Sequence, residues 1–353
     1  MYLREQTKVV NVGGVLIGGD NPVVVQSMTN VKKTAEIIEQ IAALTDAGCE
    51  IVRLAVPDME SAENFSTIKK AVKIPIVADI HFDYRLALAA IEHGADKLRI
   101  NPGNIGGTER VQAVAQAAKI AGIPIRVGVN SGSLESSLYE KYGGITPAAL
   151  CESVLHHVKL LEEYDFFDIV VAIKSSNIPL TIAAHKLLCK QTDYPVHLGI
   201  TEAGTPYRGT IKSAVGIGAL LTMGIGNTIR VSLTGSPVEE IRVAKEILQA
   251  VDIRRFGVNI ISCPTCGRCN VDLPKIADEV EKFCQGITAE IDVAVMGCVV
   301  NGPGEAKEAD YGIAAGDGNG VIFKKGNIIK KVAEADLARE LIGIVENDYK
   351  GGF

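Results

Sequence analysis

The stretch KLRINPGNIGGTERVQAVAQAAKIAGIPIRVGVN, residues 97–130, contains one complete repeat of strand, helix and strand. Runs of aliphatic residues at its two ends predict strands at 97–101 and 123–130. Apolar side chains recur at helical spacing between them, which predicts a helix over 108–121, and Gly122 suits the left-handed position that closes a last helical turn. Two strands joined in this way through a helix are expected to run parallel in one sheet.

The same repeat runs through the first 250 residues of the chain. Further strands are predicted at 23–28, 51–56, 74–80, 168–175, 196–202 and 228–234. Further helices are predicted at 34–47, 60–72, 84–93, 147–163, 178–191, 210–223 and 237–250. Eight such units in series predict a closed (β/α)8 TIM barrel, a fold that takes about 250 residues. An open, doubly wound parallel sheet is the alternative.

The alternation of strands and helices changes after residue 253. The elements predicted there are strands at 258–261 and 291–295, short strands between 311 and 331, and helices at 273–283 and 334–347. We therefore expect two domains, a TIM barrel over residues 1–253 and a smaller α+β domain over residues 254–353.

Composition and charge exclude several classes of protein. With 47% apolar and 22% charged residues, the 353-residue chain is expected to bury a large core and not to be disordered. A net charge of −6 argues against general nucleic-acid binding, which needs a basic surface. The longest nearly apolar run, 214–226, falls short of the about 20 residues of a membrane helix, and residues 1–20 lack a signal-peptide pattern. We expect a cytoplasmic protein with neither nucleic acid nor membrane as partner.

Cationic residues gather at the predicted C-terminal ends of the barrel strands, the face that carries active sites in this fold. Side chains alternate along a strand, so Arg126 shares a face with Asn130. Buried cations are costly unless they meet an anion, and guanidinium groups bind phosphate with paired hydrogen bonds. The candidate binding residues are Arg53, His81, Arg99, Arg126, Asn130, Lys174, Arg230 and Ser232. Together they favour a small molecule with more than one phosphate. The alternative is a set of separate ion-paired residues.

Glu202, in the run GITEAGT, is the acidic residue at the predicted ends of the last four strands. A carboxyl group in a partly dry pocket can have a raised pKa and donate a proton. Glu202 can equally anchor one of the arginines, and chemistry alone leaves both interpretations open.

Four of the eight cysteines follow two predicted strands of the second domain, in the runs SCPTCGRC and GCVVNGPGE. The spacing of Cys263 and Cys266 lets both thiolates reach one metal centre, and Cys298 follows the second strand. Glycines and prolines fix such loops and leave backbone amides to hydrogen-bond sulfur. The pattern predicts an iron–sulfur cluster, with a structural zinc site on four cysteines as the alternative. The number of cysteines favours Cys269 as the fourth ligand over the less obvious Glu305.

Nine sequence runs, in order from residue 26 to residue 305, resemble the 4-hydroxy-3-methylbut-2-enyl diphosphate synthase family. The runs are QSMTN, VRLAV, ADIHFDYRLA, KLRINPGNIG, RVGVNSGSL, GITEAGT, IRVSLTG, SCPTCGR and MGCVVNGPGE. The resemblance implies reductive ring opening of 2-C-methyl-D-erythritol 2,4-cyclodiphosphate with loss of water, a step of the methylerythritol phosphate route to isoprenoids. A cyclic diphosphate suits the cationic strand ends.

The resemblance also implies the roles of particular residues. It places one 4Fe-4S cluster per subunit on Cys263, Cys266, Cys298 and Glu305, in place of Cys269. It makes seven of the eight candidate binding residues contacts of the diphosphate, with His81 nearby, and Glu202 the proton donor. A carboxylate is displaced more easily than a thiolate, so an oxygen ligand can free one iron for substrate.

The implied partners are a ferredoxin or flavodoxin as electron donor and a second copy of the chain. The second copy forms a head-to-tail homodimer, in which the small domain of one subunit caps the barrel of the other and excludes water. Two other functions remain as alternatives. One is a non-redox barrel synthase of the pterin-binding type with a structural zinc site, and the other is a cluster-carrying sensor without turnover.

Overall fold

The computed structural model describes residues 3–269, 271–298, 304, 307–316 and 318–349. The chain divides into two units, Met1–Ile253 and Arg254–Phe353, each with its own core. No helix within the described ranges is long and apolar enough to cross a membrane.

The first unit begins with a short hairpin and continues as alternating strands and helices. The hairpin consists of β1 (Val10–Val12) and β2 (Val15–Ile17). The next strands are β3 (Val24–Met28), β4 (Ile51–Ala55), β5 (Ile76–Asp79), β6 (Lys97–Ile100), β7 (Ile125–Asn130), β8 (Ile169–Lys174), β9 (His197–Leu198) and β10 (Thr228–Ile229). The helices are α1 (Thr34–Asp46), α2 (Met59–Glu63), α3 (Phe65–Ala71), α4 (Tyr84–Glu92), α5 (Thr108–Ala121), α6 (Ser136–Tyr142), α7 (Pro147–Glu162), α8 (Ile178–Leu188), α9 (Pro206–Thr222) and α10 (Pro237–Ala250).

Strands β3 to β10 form a closed barrel of parallel strands. Their order is β8-β7-β6-β5-β4-β3-β10-β9, and every paired neighbour is parallel. The two ends of this order meet where Val171 of β8 bridges Val196, and the Val171 amide donates to the Pro195 carbonyl at 3.0 Å. The predicted TIM barrel is therefore confirmed, and the open sheet is excluded.

The β1–β2 hairpin seals the N-terminal end of this barrel. Val12 and Ile17 are fully buried and form one apolar cluster with Val24, Ile51 and Val77 at the starts of β3, β4 and β5. Burial of each such side chain contributes about 1.5–3 kcal/mol.

Three details of the barrel differ from the predicted elements. The helix expected over 60–72 is interrupted at Asn64, where a ψ of −15° opens the turn and separates α2 from α3. Helix α6 lies in the connection after β7, where no helix was expected. The ladders of β9 and β10 cover two residues each, so Thr201 and Ser232 follow the paired part of their strands.

Within its described residues, the second unit is a five-stranded sheet with two α-helices. Its elements are β11 (Asn259–Ser262), α11 (Leu273–Cys284), β12 (Asp292–Met296), β13 (Tyr311–Ala315), β14 (Asn319–Lys324), β15 (Asn327–Ala333) and α12 (Leu337–Asp348). Strands β11, β12 and β13 are parallel, and β14 and β15 extend the sheet antiparallel. Leu273, Val280 and Leu341 of the helices share one core with Val293 and Ile313 of the sheet. Because β11 and β12 are parallel, the two cysteine runs begin at the same edge of the sheet.

Candidate active site

A cavity of about 190 Å³ opens at the C-terminal ends of the barrel strands. It is lined by Arg53, Asp79, His81, Arg99, Arg126, Gly128, Asn130, Ala172, Lys174, Thr201, Arg230 and Ser232. The structure thus brings together all eight candidate binding residues that the sequence predicts.

Strand register explains why these side chains meet. Asp79 of β5 lies opposite Arg99 of β6, and Arg99 lies opposite Arg126 of β7. Paired residues on parallel neighbours point to the same face, so all three side chains enter the barrel at one level. Asn130 and Lys174 are paired in the same way on β7 and β8, nearer the mouth.

Asp79 holds three of the lining side chains. Its carboxylate lies 3.3 Å from Nη1 of Arg99, 3.7 Å from Nε of Arg53 and 3.4 Å from Nε2 of His81. Nη1 of Arg99 also donates to Nδ1 of His81 at 3.1 Å, so the His81 proton lies on Nε2, facing Asp79. Burial alone would raise the pKa of Asp79, but the charges of Arg53 and Arg99 and the contact with His81 hold it well below its usual range.

Cations outnumber acids around the cavity. Arg126 is only 1% exposed, and its Nε and Nη1 have no hydrogen-bond partner in the described part of the chain. Burial and the neighbouring arginines lower the pKa of Arg126 and of Lys174 well below their ordinary values. Burial also lowers the pKa of Arg53 to about 10. Such a cluster is costly until an anion enters it, and the geometry therefore suits an anionic ligand.

Glu240, on a helix and not on a strand, is a second acidic partner of the cavity arginines. It lies in the first turn of α10, 3.8 Å from Nη2 of Arg230, and it accepts hydrogen bonds from the Ser27 hydroxyl and the Leu233 amide at 3.1 and 2.9 Å. Burial raises the pKa of Glu240. The strand pattern gave no signal for this residue, because it is not on a strand.

Lys97 is a functional candidate that the sequence interpretation left out. It is fully buried on β6, two residues before Arg99 on the same face, and its Nζ donates to Oε1 of Gln26 at 3.5 Å. Burial and the charges of Arg126 and Arg53 lower the pKa of Lys97 well below its ordinary value. The alternation of side chains along β6 that places Arg99 inside the barrel also places Lys97 there, so the sequence pattern could have predicted it.

Glycine at position 199 permits a close approach at the cavity. A Cβ there would lie 2.9 Å from the Arg230 carbonyl oxygen and 3.2 Å from Nζ of Lys174. Any larger residue would therefore require the backbone after β9 or the Arg230 carbonyl to shift.

Glu202 lies beside the cavity and outside its described lining. It follows Thr201 in a turn, is exposed, and has a φ of 53°. This left-handed conformation costs a residue with a side chain about 1–3 kcal/mol, a strain that is commonly found at functional sites. The structure thus places Glu202 as an exposed residue directly after Thr201, which lines the cavity.

The cysteine run after β11 is shaped by hydrogen bonds to sulfur. The Gly297 amide donates to Sγ of Cys263 at 3.2 Å, across the two strand-end loops. The Cys269 amide donates to the Cys266 carbonyl at 2.9 Å and closes a turn. Hydrogen bonds from the backbone and side chain of Arg268 lower the pKa of the Cys266 thiol. Amide donors to sulfur are typical of loops that hold iron–sulfur clusters.

Cys298 lies on the neighbouring loop, close enough to Arg268 for its charge to help raise the pKa of that guanidinium, after the larger effect of Cys266. Within the described ranges, no three His, Cys, Asp or Glu side chains gather as the ligands of a single metal ion would. Sγ of Cys269 donates to the Val271 carbonyl at 3.5 Å. Glu305, the fourth ligand implied by resemblance, lies outside the described residues.

Both units match models of known domain families. Residues 7–245 match the GcpE TIM-barrel domain, and residues 259–347 match the GcpE protein C-terminal domain. A relative from Caldanaerobacter subterraneus is 58% identical over 353 residues, covering 99% of both chains. One from Clostridium acetobutylicum is 59% identical over 346 residues, covering 98% of this chain and 99% of its own. Both carry the name 4-hydroxy-3-methylbut-2-en-1-yl diphosphate synthase (flavodoxin).

Solved structures similar to this one share the barrel. Type I 3-dehydroquinate dehydratase from Clostridium difficile has a TM-score of 0.53 at 12% identity, covering 70% of this chain and 98% of its own. Dihydropteroate synthase from Yersinia pestis has a TM-score of 0.52 at 11% identity, covering 69% and 98%. At sequence identities this low, the similarity indicates a shared fold alone, and it gives no support to the pterin-binding alternative. With both of its units matched and relatives close to 60% identical along its whole length, the chain belongs to the 4-hydroxy-3-methylbut-2-en-1-yl diphosphate synthase (flavodoxin) family.

Proposed function

We propose that this chain reduces 2-C-methyl-D-erythritol 2,4-cyclodiphosphate to (E)-4-hydroxy-3-methylbut-2-enyl diphosphate, in the cytoplasm, on the methylerythritol phosphate route. Two electrons and one proton enter, a carbon–oxygen bond to phosphate opens, and a hydroxyl group leaves as water. The observation that carries the proposal is the buried cation cluster, with Arg126 unpartnered within the described structure, in a chain of this family.

The cations have a direct role in this reaction. Opening the ring releases a phosphate oxygen, so the diphosphate gains one negative charge as the reaction proceeds. Nε of Arg99, Nε of Arg230 and both orphan nitrogens of Arg126 are buried donors without partners in the described structure. Donors already in place where charge develops stabilise a transition state more than a ground state. The barrel mouth therefore binds the substrate and favours its opening.

Four residues are proposed to hold one 4Fe-4S cluster per subunit: Cys263, Cys266, Cys298 and Glu305. When bound, the cluster supplies the two electrons in single steps. The amide of Gly297 on Cys263 and the hydrogen bonds of Arg268 on Cys266 support thiolate ligands at this edge of the sheet. We propose flavodoxin, which the relatives' names specify, or ferredoxin as the electron donor.

Glu202 is proposed as the proton donor to the departing hydroxyl group. Its strained turn next to Thr201, which lines the cavity, supports this role. Glu202→Gln is expected to bind the cyclodiphosphate and to lose turnover. Glu239→Gln, at an exposed residue of α10, is the matched control. Full turnover by Glu202→Gln would remove Glu202 from this role.

A head-to-tail homodimer is proposed to bring the cluster of one subunit to the barrel of the other. Mixing an Arg126 variant with a Cys298 variant tests it, because one site of each mixed dimer then has an intact barrel and an intact cysteine unit. Random exchange should restore about a quarter of wild-type turnover. A mixture as inactive as either variant would show that each subunit uses its own cysteines.

The overall function is tested by anaerobic reconstitution with iron and sulfide. We expect brown protein that converts the cyclodiphosphate when given a low-potential reductant. A colourless, stable zinc protein without turnover would favour the non-redox alternative. An iron-containing protein that binds the cyclodiphosphate but never converts it would favour the sensor.

A further inference from the structure

His157 is a buried side chain that the proposed reaction does not use. It lies on α7 and is 1% exposed, and its Nε2 is 3.1 Å from Oε1 of Glu135. Glu135 follows Asn130, a cavity residue, by five positions. Ser153, one turn earlier on α7, donates its hydroxyl to both Glu135 oxygens at 2.9 and 2.8 Å. Two side chains of α7 thus hold the segment that leaves β7.

The same histidine also supports the loop after β6. A Cβ at Gly103 would lie 2.5 Å from Nε2 of His157, so the backbone of the short 3-10 turn Pro102–Asn104 packs directly on the imidazole. That turn is joined to β6 by Asn101, whose side chain accepts from the Gly103 amide at 3.2 Å. One buried ring therefore contacts the loops that follow both Arg99 and Asn130.

The cluster is not arranged for nucleophilic catalysis. Ser153 and His157 both donate to the same carboxylate, so the imidazole does not contact the serine hydroxyl as a general base would. Burial alone would raise the pKa of Glu135, but the hydrogen bonds from His157 and Ser153 lower it to about 2. The carboxylate therefore stays charged at physiological pH, and the cluster is a permanent tether.

We propose that Glu135, Ser153 and His157 form a positioning cluster that fixes two mouth loops for the anionic ligand; this rests on the proposed diphosphate-binding function. Ordering backbone residues costs conformational entropy. A tether that orders residues 131–135 before the ligand arrives removes that cost from binding. The described contacts of the cluster run between its own members and to the backbone at Gly103, so its effect is on the placement of Asn130 and the loop after Arg99.

His185 provides a matched control one helix away. It is fully buried on α8, and its Nδ1 bonds the Thr181 carbonyl of its own helix at 2.8 Å. His157→Ala and His185→Ala both remove a buried imidazole and should lose comparable thermal stability. His157→Ala is expected to weaken pyrophosphate binding about tenfold, while His185→Ala changes it less than about twofold. The measurement is calorimetric titration of the full chain with pyrophosphate at one fixed salt concentration.

Further variants separate positioning from general destabilisation. His157→Gln, whose amide can donate to Glu135, should recover most of the affinity. Glu135→Ala changes a half-buried loop residue and gives the same test should His157→Ala fail to fold. Combined with His157→Ala, it should weaken binding no more than either change alone, because both break one tether. Amide hydrogen exchange over residues 131–135 should accelerate in His157→Ala and stay unchanged in His185→Ala.

Two outcomes would overturn the inference: equal loss of affinity in the two histidine variants, or unchanged exchange of residues 131–135 in His157→Ala. A wild-type chain that fails to bind pyrophosphate would count against the proposed function instead. The exchange experiment needs no ligand and decides the positioning role in either case.

Discussion

The barrel mouth and the cysteine loops are built in opposite ways. At the mouth, strand register sets the positions of Asp79, Arg99 and Arg126, and all three are buried before any ligand arrives. The thiols lie on loops after β11 and β12, where Cys266 is exposed and Cys263 is partly exposed. The barrel fold thus bears the cost of a preorganised cation cluster, whereas the proposed metal centre would add ligand bonds at the second site only on binding. Variants at the two sites should therefore fail differently.

The largest effect is expected from Cys298→Ser. A hydroxyl is a poor ligand for iron, so the variant should lose its cluster absorbance and all measurable turnover. Pyrophosphate binding should stay at the wild-type level, because the mouth forms without the cluster. Cys269→Ala, in the neighbouring loop, is the control and should keep both iron and activity. Loss of iron in Cys269→Ala together with an active Glu305→Ala would restore an all-cysteine site.

The second-largest effect is expected from Asp79→Asn, on the free energy of unfolding. Removing one partner of a buried ion pair costs about 3–5 kcal/mol, and here Arg53 and Arg99 lose the same carboxylate. Because the folded-state pKa of Asp79 lies below the unfolded value of about 3.9, its contribution is complete above about pH 4 and is lost as pH falls further. Urea unfolding at several pH values measures the difference. A gap between wild type and variant that closes already near pH 6 contradicts this assignment.

Arg126→Met should have a smaller effect than Asp79→Asn, and the effect should be on ligand binding. Loss of a buried guanidinium is expected to weaken pyrophosphate binding about a hundredfold, or about 2.7 kcal/mol. The free energy of unfolding should not fall, because the variant no longer buries an unpartnered cation. Arg85→Met removes an exposed arginine of α4 and should change neither quantity by much. Equal affinities of wild type and Arg126→Met would mean that the mouth is not the anion site.

The smallest effect is expected from Lys97→Met. The folded state holds Lys97 with a lowered pKa, so between that value and about 10.4 the unfolded chain binds more protons, and wild-type stability rises with pH. Lys97→Met lacks this term, so it should be the more stable protein near neutral pH, by a margin that shrinks as pH approaches 10. Urea unfolding at about pH 7 and about pH 9.5 checks the trend. A margin that grows with pH would refute it.

The sequence predicts the barrel mouth well because one rule governs it. Side chains alternate along strands, and parallel strands end at one face, so Arg53, Arg99 and Arg126 had to converge once the eight strands were recognised. The same rule fails at Glu202. Pairing of β9 stops at Leu198, so alternation no longer controls the direction of side chains four residues later.

Other features could not be predicted from the sequence because their sequence signals are short or involve residues far apart in the chain. The β1–β2 hairpin has the Gly13-Gly14 turn typical of two-residue loops, but three-residue strands are too brief to read with certainty. Glu240 partners Arg230 across 10 positions in the chain, from a helix face that also carries ordinary surface glutamates. The fourth cluster ligand stays a proposal because the spacing of Cys266 and Cys269 suits a thiolate as well.

The hairpin that plugs the barrel has a kinetic consequence. Val12 and Ile17 cover the N-terminal end of the barrel, and the described cavity lies at the C-terminal ends of the strands, so we expect a ligand of the cation cluster to enter and leave at that end. The product diphosphate must then leave the cavity before the next substrate molecule can bind. Product and pyrophosphate should accordingly act as competitive inhibitors. Release of the more highly charged product from the cationic cavity should be the step whose rate depends most on salt concentration.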